Sequence, residues 1–147
     1  MKVFVTGATG VVGRPAVRAL IAAGHDVTAV ARTPEKAAAV ERAGARPVTV
    51  DLFDADALVP ATAGHDAVVH LATHIPPLSR AARAGAWAVN DRLRTETSAH
   101  LIAAARAHGI DRYVQESITY PYLDGGADWL DEDSPIEHDG AFVGAGN

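Results

Sequence analysis

Short apolar runs alternate with alanine-rich segments along most of this chain, and glycines separate them at regular distances. Gly24, Gly44 and Gly64 are 20 residues apart, and Gly109 stands in the same context further on. Each of these glycines follows a helix-like segment and precedes an apolar run, which is where glycine commonly ends a helix. Several runs are rich in valine, as in strands buried on both faces of a parallel sheet. The predicted strands are Lys2–Thr6, residues 27–30, 47–50 and 67–71, and Arg112–Gln115.

The segments between these runs carry helix signals. Thr33, Pro34 and Glu35 supply an N-cap, a first-turn proline and a first-turn acid, and Asp54 begins a helix-like segment at residues 54–63. The longest segment, residues 86–107, repeats apolar residues every three to four positions and predicts an amphipathic helix. Strands that alternate with helices are joined by right-handed crossovers in nearly all cases. The predicted fold is therefore α/β, a doubly wound parallel sheet of about five strands with helices on both faces.

A glycine-rich turn joins the first predicted strand to the first predicted helix. Gly7, Gly10 and Gly13 have the spacing G-x-x-G-x-x-G, a variant of the dinucleotide-binding fingerprint. In that fingerprint the first glycine allows a tight exit from the strand, the second lets the backbone approach a pyrophosphate, and the third lets helix and strand pack closely. Free N–H groups at the helix start then bind the phosphates. The alternative is an ordinary glycine-rich turn, but its position within a βαβ unit favours nucleotide binding.

The end of the second predicted strand distinguishes the two nicotinamide dinucleotides. An acidic residue there would hydrogen-bond the ribose hydroxyl of NAD, whereas an arginine can accommodate the 2′-phosphate of NADP. The strand ends at Arg32 without an acid, and Arg14, just after the third glycine, can add a second cation. The alternative is that both arginines are solvated surface residues. We predict NADP as the cofactor, in preference to NAD.

Further motifs lie where such a fold would place a cofactor. Asp51 and Leu52 follow the third predicted strand, residues 70–73 (His-Leu-Ala-Thr) end the fourth, Asn90 begins the long helix, and residues 112–117 lead out of the fifth strand. Together with the glycine turn, these motifs resemble those of the short-chain dehydrogenase/reductase superfamily. The resemblance is to its extended or atypical branch, which includes the NAD(P)-dependent epimerases/dehydratases and related reductase-like proteins. It implies a Rossmann-like sheet with the strand order 3-2-1-4-5 and an NAD(P) cofactor.

The resemblance also implies which residues contact that cofactor. Asp51 would face the adenine, residues 70–73 would lie beside the cofactor ribose, and Asn90 matches the family's structural asparagine. The predicted cofactor-binding residues are Gly7, Thr9, Gly10, Val11, Val12, Gly13, Arg14, Arg32, Asp51, Leu52, Leu71, Ala72, Thr73 and Asn90.

The chain departs from the family's catalytic pattern. Members that transfer hydride use a Tyr-x-x-x-Lys pair and a Ser or Thr, and the lysine lowers the pKa of the tyrosine so that its phenol exchanges a proton with the substrate oxygen. The only lysines are Lys2 and Lys36, and neither stands four residues after a tyrosine. Ser117 and Thr119 are the candidates for the Ser/Thr position. The family's sixth strand and its C-terminal substrate lobe are expected to be absent as well.

These observations predict an NADP(H)-binding oxidoreductase-like domain that is not catalytically complete in this chain, from an enzyme acting on a small carbonyl, sterol or sugar-type substrate. The alternatives are a non-catalytic dinucleotide-binding sensor or regulatory module, and a structural fragment that binds nothing. Without a sixth strand, the fifth becomes an edge with Val114 and Ile118 nearby, and edges invite pairing with another chain. Family members also often dimerise through the long helix. We therefore expect a homodimer.

Composition restricts the remaining possibilities. The 147 residues carry a net charge of −5 and no cysteine, which excludes disulfides and thiolate chemistry and argues against a nucleic-acid partner. There is no signal-peptide-like core and no apolar run near the ~20 residues of a membrane span, so we expect a cytoplasmic protein without membrane attachment. The histidines lack metal-site spacing, and no metal is predicted. We interpret His70 as a hydrogen-bonded sheet histidine and His74 as a residue that can touch cofactor or substrate.

Charge divides the chain into two parts. The last 27 residues carry seven acidic side chains and no lysine or arginine, and they are rich in aspartate, proline and glycine. We therefore predict an NAD(P)-binding domain at residues 1–120 and an acidic loop or tail at residues 121–147 that leads towards the missing lobe.

Overall fold

Five parallel strands form one sheet. Their bounds are β1 Lys2–Thr6, β2 Asp26–Val30, β3 Arg46–Val48, β4 Ala67–His70 and β5 Arg112–Gln115. The strand order is β3-β2-β1-β4-β5, so the sheet is the predicted doubly wound, Rossmann-like one. The structure, a computed structural model, describes residues 1–119 and 122–136.

Helices cover both faces of the sheet. They are α1 Gly13–Ala22, α2 Pro34–Arg42, α3 Ala55–Thr62, α4 Ala88–Arg92 and α5 Ser98–Ala107. Both predicted N-caps are confirmed, because Thr33 accepts a hydrogen bond from the Lys36 N–H at 3.3 Å and Asp54 accepts one from the Ala57 N–H at 3.0 Å. The glycines predicted to end helices all have positive φ, between 66° and 88°.

Alternate strand residues pack into two apolar layers, one on each face. Phe4 of β1 packs in one layer with Leu58 of α3 and Leu101 of α5. Val5, which directly follows Phe4 and lies on the opposite face of the sheet, packs in the other layer with Val17 of α1. Burial on both faces is the reason that the strands read as continuous valine-rich runs rather than as alternating polar and apolar residues. The two layers fix the carboxyl ends of the strands, where the site described below is formed.

The strand ends differ slightly from the prediction. β2 and β3 each begin one residue earlier than predicted, and β3 ends at Val48 rather than at residue 50. β4 ends at His70, so Leu71 belongs to the connection and not to the strand. Leu71 lies past the carboxyl edge of the sheet and lines a cleft there.

The predicted helix at residues 86–107 contains a π-turn, Leu93–Thr97, between α4 and α5. The Leu93 carbonyl at this turn accepts side-chain hydrogen bonds from His70 Nε2 at 3.0 Å and from Ser98 Oγ at 3.3 Å. Such turns insert one residue into an otherwise regular helix and occur often at functional sites. The apolar periodicity alone predicts one uninterrupted helix here, and the structure corrects that prediction.

The described residues from Ser117 onward form a unit separate from Met1–Glu116. Within this second unit, Tyr122 forms an isolated antiparallel bridge with Ile136, and most described side chains are exposed. Residues 137–147 of the predicted acidic tail, with Glu137 and Asp139, lie outside the described residues. In the part of the chain that the structure describes, no helix is long and apolar enough to cross a membrane.

Candidate functional site

A cleft of about 220 Å³ opens at the carboxyl edge of the sheet. It lies where the strand order reverses between β1 and β4, the position at which open α/β sheets bind ligands. Its walls come from the connections after β1, β2, β3 and β4 and from the beginning of the long helix. The lining residues are Gly7, Thr9, Gly10, Val30, Arg32, Lys36, Leu52, Phe53, Leu71, Ala72, Thr73, His74, Val89 and Leu93.

Two of the three glycines in the first turn are required by packing within the protein. Gly7 has φ +72°, and a Cβ there would overlap the backbone of Leu71 and Ala72. A Cβ at Gly13 would overlap the Gly7 carbonyl and the backbone of Ala8. Gly7 therefore brings the exit of β1 directly against the exit of β4, and Gly13 lets α1 begin beside the turn.

Internal packing restricts Gly10 less than it restricts the other two glycines. Its φ is not positive, and a Cβ there would meet only the Gly7 carbonyl oxygen, at 3.2 Å. The Gly10 N–H donates to that same carbonyl at 2.9 Å, which closes the turn. The remaining space next to Gly10 belongs to the cleft. A side chain at this position would therefore occupy the space in which the fingerprint places a pyrophosphate.

The amino end of α1 lacks the caps that α2 and α3 possess. It has neither a side-chain cap nor an acidic residue in its first turn. Within residues 1–119 and 122–136, the N–H groups of Val11 and Val12 have no backbone acceptor, and Val11 is 93% exposed. Unpaired donors and the positive end of the helix dipole thus face outwards. A bound phosphate would supply the missing acceptor and the missing negative charge.

Two cations line the cleft beyond the end of β2. Arg32 follows the strand, and Lys36 lies in the first turn of α2. Neither forms an ion pair with a carboxylate of the described residues. Arg14 does not line this cleft: its Nε donates to the Thr9 carbonyl at 2.9 Å, and it borders a smaller groove of about 110 Å³ along α1 and α2. Positive charge is therefore concentrated at the β2 side of the cleft.

The wall after β3 is apolar. Leu52 is buried and Phe53 half-buried, and both line the cleft, whereas the Asp51 carboxylate turns back to accept the Phe53 N–H at 3.0 Å. The guanidinium carbon of Arg92 lies 3.9 Å from the centroid of the Phe53 ring. Arg92 also pairs with Glu96 at 2.7 Å, and this hydrogen bond raises the pKa of Arg92. An apolar wall held in this way suits a flat ring such as adenine.

A buried histidine lies behind the cleft. His70 is 2% exposed, with Nδ1 at 2.6 Å from Thr6 Oγ1 and Nε2 at 3.0 Å from the Leu93 carbonyl. Because a carbonyl can only accept, Nε2 carries the proton and Nδ1 accepts from the Thr6 hydroxyl. Burial lowers the pKa of His70, and the nearby charge of Arg94 lowers it further, against the opposing effect of the Leu93 hydrogen bond. His70 is the hydrogen-bonded sheet histidine that the sequence predicts.

Asn90 holds the loop that follows β4. It is 5% exposed, and its Oδ1 accepts the His74 N–H at 3.1 Å. Thr73 and His74, on this loop, both line the cleft. Asn90 therefore shapes the site from behind rather than lining it.

The structure gathers eight of the predicted cofactor-binding residues along the cleft. These are Gly7, Thr9, Gly10, Arg32, Leu52, Leu71, Ala72 and Thr73. The other six do not line it: they belong to the turn into α1 and its first residues, or they hold neighbouring loops. These are Val11, Val12, Gly13, Arg14, Asp51 and Asn90.

Several lining residues were not among those predicted from the sequence. Lys36 carries a usable signal, because it stands three residues after the N-cap Thr33 and so lies one helical turn from the end of β2. Phe53 directly follows the predicted Asp51-Leu52 motif. Val89 and Leu93 belong to the apolar repeat of the predicted long helix. Val89 is exposed and lines the cleft, whereas Leu93 both lines the cleft and packs in the core.

The two candidate catalytic residues, Ser117 and Thr119, are exposed and belong to the second unit. They remain predictions. In the described part of the chain there is no cluster of three or more His, Asp or Glu side chains suited to a metal ion.

A glycine turn and an uncapped helix start at the reversal point of a doubly wound parallel sheet define a Rossmann-like dinucleotide-binding domain. Comparison with protein-family models gives the same class, since a model described as NAD(P)H-binding matches residues 7–132. The chain belongs to this NAD(P)H-binding family.

Similar proteins agree with this assignment. The chain is 42% identical over 138 residues to a 3-diazoavenalumate denitrifying reductase of a Streptomyces species. The matched region covers 92% of this chain and 44% of the reductase. It is 38% identical over 119 residues to L-arabinose 1-dehydrogenase (NAD(P)(+)) of Haloferax volcanii. This match covers 81% of this chain and 41% of the dehydrogenase. A solved structure from Bacillus halodurans, described as an NAD-dependent epimerase/dehydratase, matches with a TM-score of 0.69 and 29% identity over 82% of this chain and 53% of that one. The chain thus spans about half the length of these relatives, in agreement with the resemblance to the N-terminal half of the epimerase/dehydratase-like proteins.

Proposed function

We propose that this chain binds NADP(H), in preference to NAD(H), as the cofactor-binding part of a reductase-type oxidoreductase acting on a small carbonyl, sterol or sugar-type substrate. The observation that carries the proposal is the open space at Gly10 beside the unpaired N–H groups of Val11 and Val12. A pyrophosphate would fill that space and satisfy those donors. Relatives named as a reductase and an NAD(P)-dependent dehydrogenase support the reaction class.

The preference for NADP(H) is supported by charge. The 2′-phosphate that distinguishes NADP from NAD adds up to about two negative charges. Arg32 and Lys36 line the cleft at the end of β2 without a carboxylate partner among the described residues. No acid stands at the end of β2 to accept hydrogen bonds from the ribose hydroxyls of NAD, as NAD-specific sites require.

The test is a titration of the chain with NADPH and with NADH, followed by nicotinamide fluorescence. We expect tighter binding of NADPH, and we expect Arg32→Ala and Lys36→Ala each to weaken NADPH about tenfold while changing NADH little. Arg106→Ala is the matched control, because this exposed arginine lies in the last turn of α5, before β5, at the amino edge of the sheet. Equal affinities for the two cofactors would contradict the preference, and binding of neither would contradict the function.

We also propose that this chain is not catalytically complete. Hydride transfer by the family's chemistry needs a tyrosine and a lysine four residues apart, and the 147 residues contain no such pair. The chain should therefore bind NADPH without oxidising it in the presence of a panel of carbonyl compounds. NADPH oxidation that Ser117→Ala or Thr119→Val diminishes would contradict this proposal and would assign a catalytic role to those residues.

The missing pair also favours the alternative function, a dinucleotide-binding sensor or regulatory module. A sensor should respond to the redox state of its cofactor, so NADPH and NADP⁺ should change its association state differently. We propose a homodimer for either function, because β5 is one of the two edge strands that the described residues form and its Val114 is 57% exposed. Light scattering should give the mass of a dimer, and Val114→Lys should give a monomer that still binds NADPH. A monomeric native chain would overturn this.

A further inference from the structure

The hydrogen bonds of His70 connect three walls of the cleft. Thr6 and His70 are direct partners in the register of β1 and β4, and each is the last residue of its strand. The next residues, Gly7 and Leu71, line the cleft. An imidazole that bonds Thr6 therefore joins the two strands immediately before they open into the site.

The other side of the imidazole reaches the helix. His70 Nε2 donates to the Leu93 carbonyl at 3.0 Å, and that carbonyl lies at the first residue of the π-turn. Leu93 and Val89, one turn earlier, form the helical wall of the cleft. A shift of the π-turn relative to β4 would thus change the width of the cleft at both residues.

A polar link at this position is not needed for burial. The neighbouring positions of the same layer are filled by apolar residues such as Phe4, Val68 and Leu101. A buried polar group is costly unless it is hydrogen-bonded, whereas an apolar side chain would fill the space without that requirement. Fully satisfied buried networks fix a unique arrangement of the elements that they join.

We propose that His70 is a positioning residue for the dinucleotide cleft, which sets the helical wall at Val89 and Leu93 against the exits of β1 and β4 through its bonds to Thr6 and Leu93. This inference rests on the proposed cofactor site. His70 does not line the cleft. Its effect on cofactor affinity is therefore indirect, and it is separate from its effect on folding.

The test uses a matched pair of buried threonines. Thr6→Val removes the hydroxyl that donates to His70. Thr62→Val removes a buried hydroxyl that donates to the Leu58 and Val59 carbonyls within α3. We expect both variants to unfold at lower urea concentration than the native chain. Only Thr6→Val should weaken NADPH binding, by about fivefold.

Two substitutions of the histidine complete the experiment. His70→Phe keeps a buried ring without hydrogen bonds and should weaken NADPH binding at least as much as Thr6→Val. His70→Gln retains one donor and one acceptor and should restore binding to within about twofold of the native chain. If His70→Phe does not fold, the threonine pair decides.

The outcomes separate this inference from the proposed function. If the native chain binds neither NADPH nor NADH, the proposed function fails. If the native chain binds NADPH and both threonine variants bind it equally well, or if His70→Gln binds no better than His70→Phe, the positioning role is overturned. A ¹⁵N spectrum of the native chain gives an independent readout: His70 should be neutral with its proton on Nε2, and a proton on Nδ1 instead would contradict the bond to Leu93.

Discussion

Position 10 carries a glycine although its φ is not positive and the folded chain restricts it less than it restricts positions 7 and 13. Gly7 and Gly13 face backbone atoms that a side chain would overlap, so their role is fulfilled within the folded chain. Gly10 faces the cleft, so its role concerns what enters the cleft. The same spacing motif therefore contains two glycines that folding requires and one that we expect cofactor binding to require, which is the division of roles that the fingerprint predicts.

This distinction gives the first prediction. Gly13→Ala should lower the free energy of unfolding by about 1–3 kcal/mol or more, because the new methyl group overlaps the Gly7 carbonyl and Ala8. Gly10→Ala should change it by less than about 1 kcal/mol but should weaken NADPH binding at least about tenfold. Urea unfolding and fluorescence titration measure the two effects. Native affinity in Gly10→Ala would show that the turn does not hold the pyrophosphate.

The second prediction at this scale concerns pH. Burial lowers the pKa of His70 in the folded state below its ordinary value of about 6.5, and the charged neighbour is Arg94, which pairs with Glu116 at 2.7 Å. Between the two pKa values the unfolded chain binds a proton that the folded chain does not. The associated stability is therefore complete above about pH 6.5 and is lost as the pH falls towards the folded-state pKa, by at most about 1.4 kcal/mol per pH unit.

Urea unfolding of the native chain and of His70→Gln at pH 7.5, 6.5 and 5.5 measures this contribution. The native chain should lose more stability on acidification than the variant, because only the native chain has this imidazole to protonate. Identical pH dependence of the two proteins would contradict the assignment of a neutral, buried His70.

At the scale of elements, local signals account for most of the architecture. Thr33 and Asp54 begin their helices as predicted, since an N-cap is read from adjacent residues. The apolar periodicity did not predict the π-turn, whose Leu93 carbonyl accepts hydrogen bonds both from the nearby Ser98 and from His70, 23 positions away in the sequence. The helical wall of the cleft was missed for a related reason: whether Val89 faces the core or the cleft depends on where the sheet ends beneath it.

The third prediction tests the capping of α3. Asp54→Ala should lower the free energy of unfolding by about 1 kcal/mol, because it leaves the Ala57 N–H without its acceptor. Asp56→Ala is the matched control: this acid lies in the same first turn but is not the cap, so only its smaller interaction with the helix dipole is lost. Urea midpoints of the two variants should differ. Equal losses would mean that charge, and not the cap, stabilises the helix start.

At the scale of the whole molecule, the parallel sheet brings distant segments to one edge. Residues after four different strands meet around the cleft, and the resemblance of a few motifs was sufficient to predict the strand order that brings them together. The sequence could not predict how far each side chain reaches, so Arg32 was predicted and Lys36 was not, although both line the same wall. The place of Arg32 near the end of β2 can be predicted from the sequence. The reach of the Lys36 side chain depends instead on how α2 packs against the sheet.

Cofactor binding should stabilise the Met1–Glu116 unit against unfolding. Trp129→Phe leaves Trp87 as the only tryptophan, and its Nε1 donates to the Ala81 carbonyl at 3.0 Å, so its fluorescence follows the unfolding of that unit. NADPH at 100 times its Kd should raise the free energy of unfolding by about 2.7 kcal/mol, because it binds only the folded state. NADH at the same concentration should add about 1.4 kcal/mol less if it binds tenfold more weakly. In Arg32→Ala, which should weaken only NADPH and by about tenfold, this difference should disappear, and its persistence would mean that other residues select the cofactor.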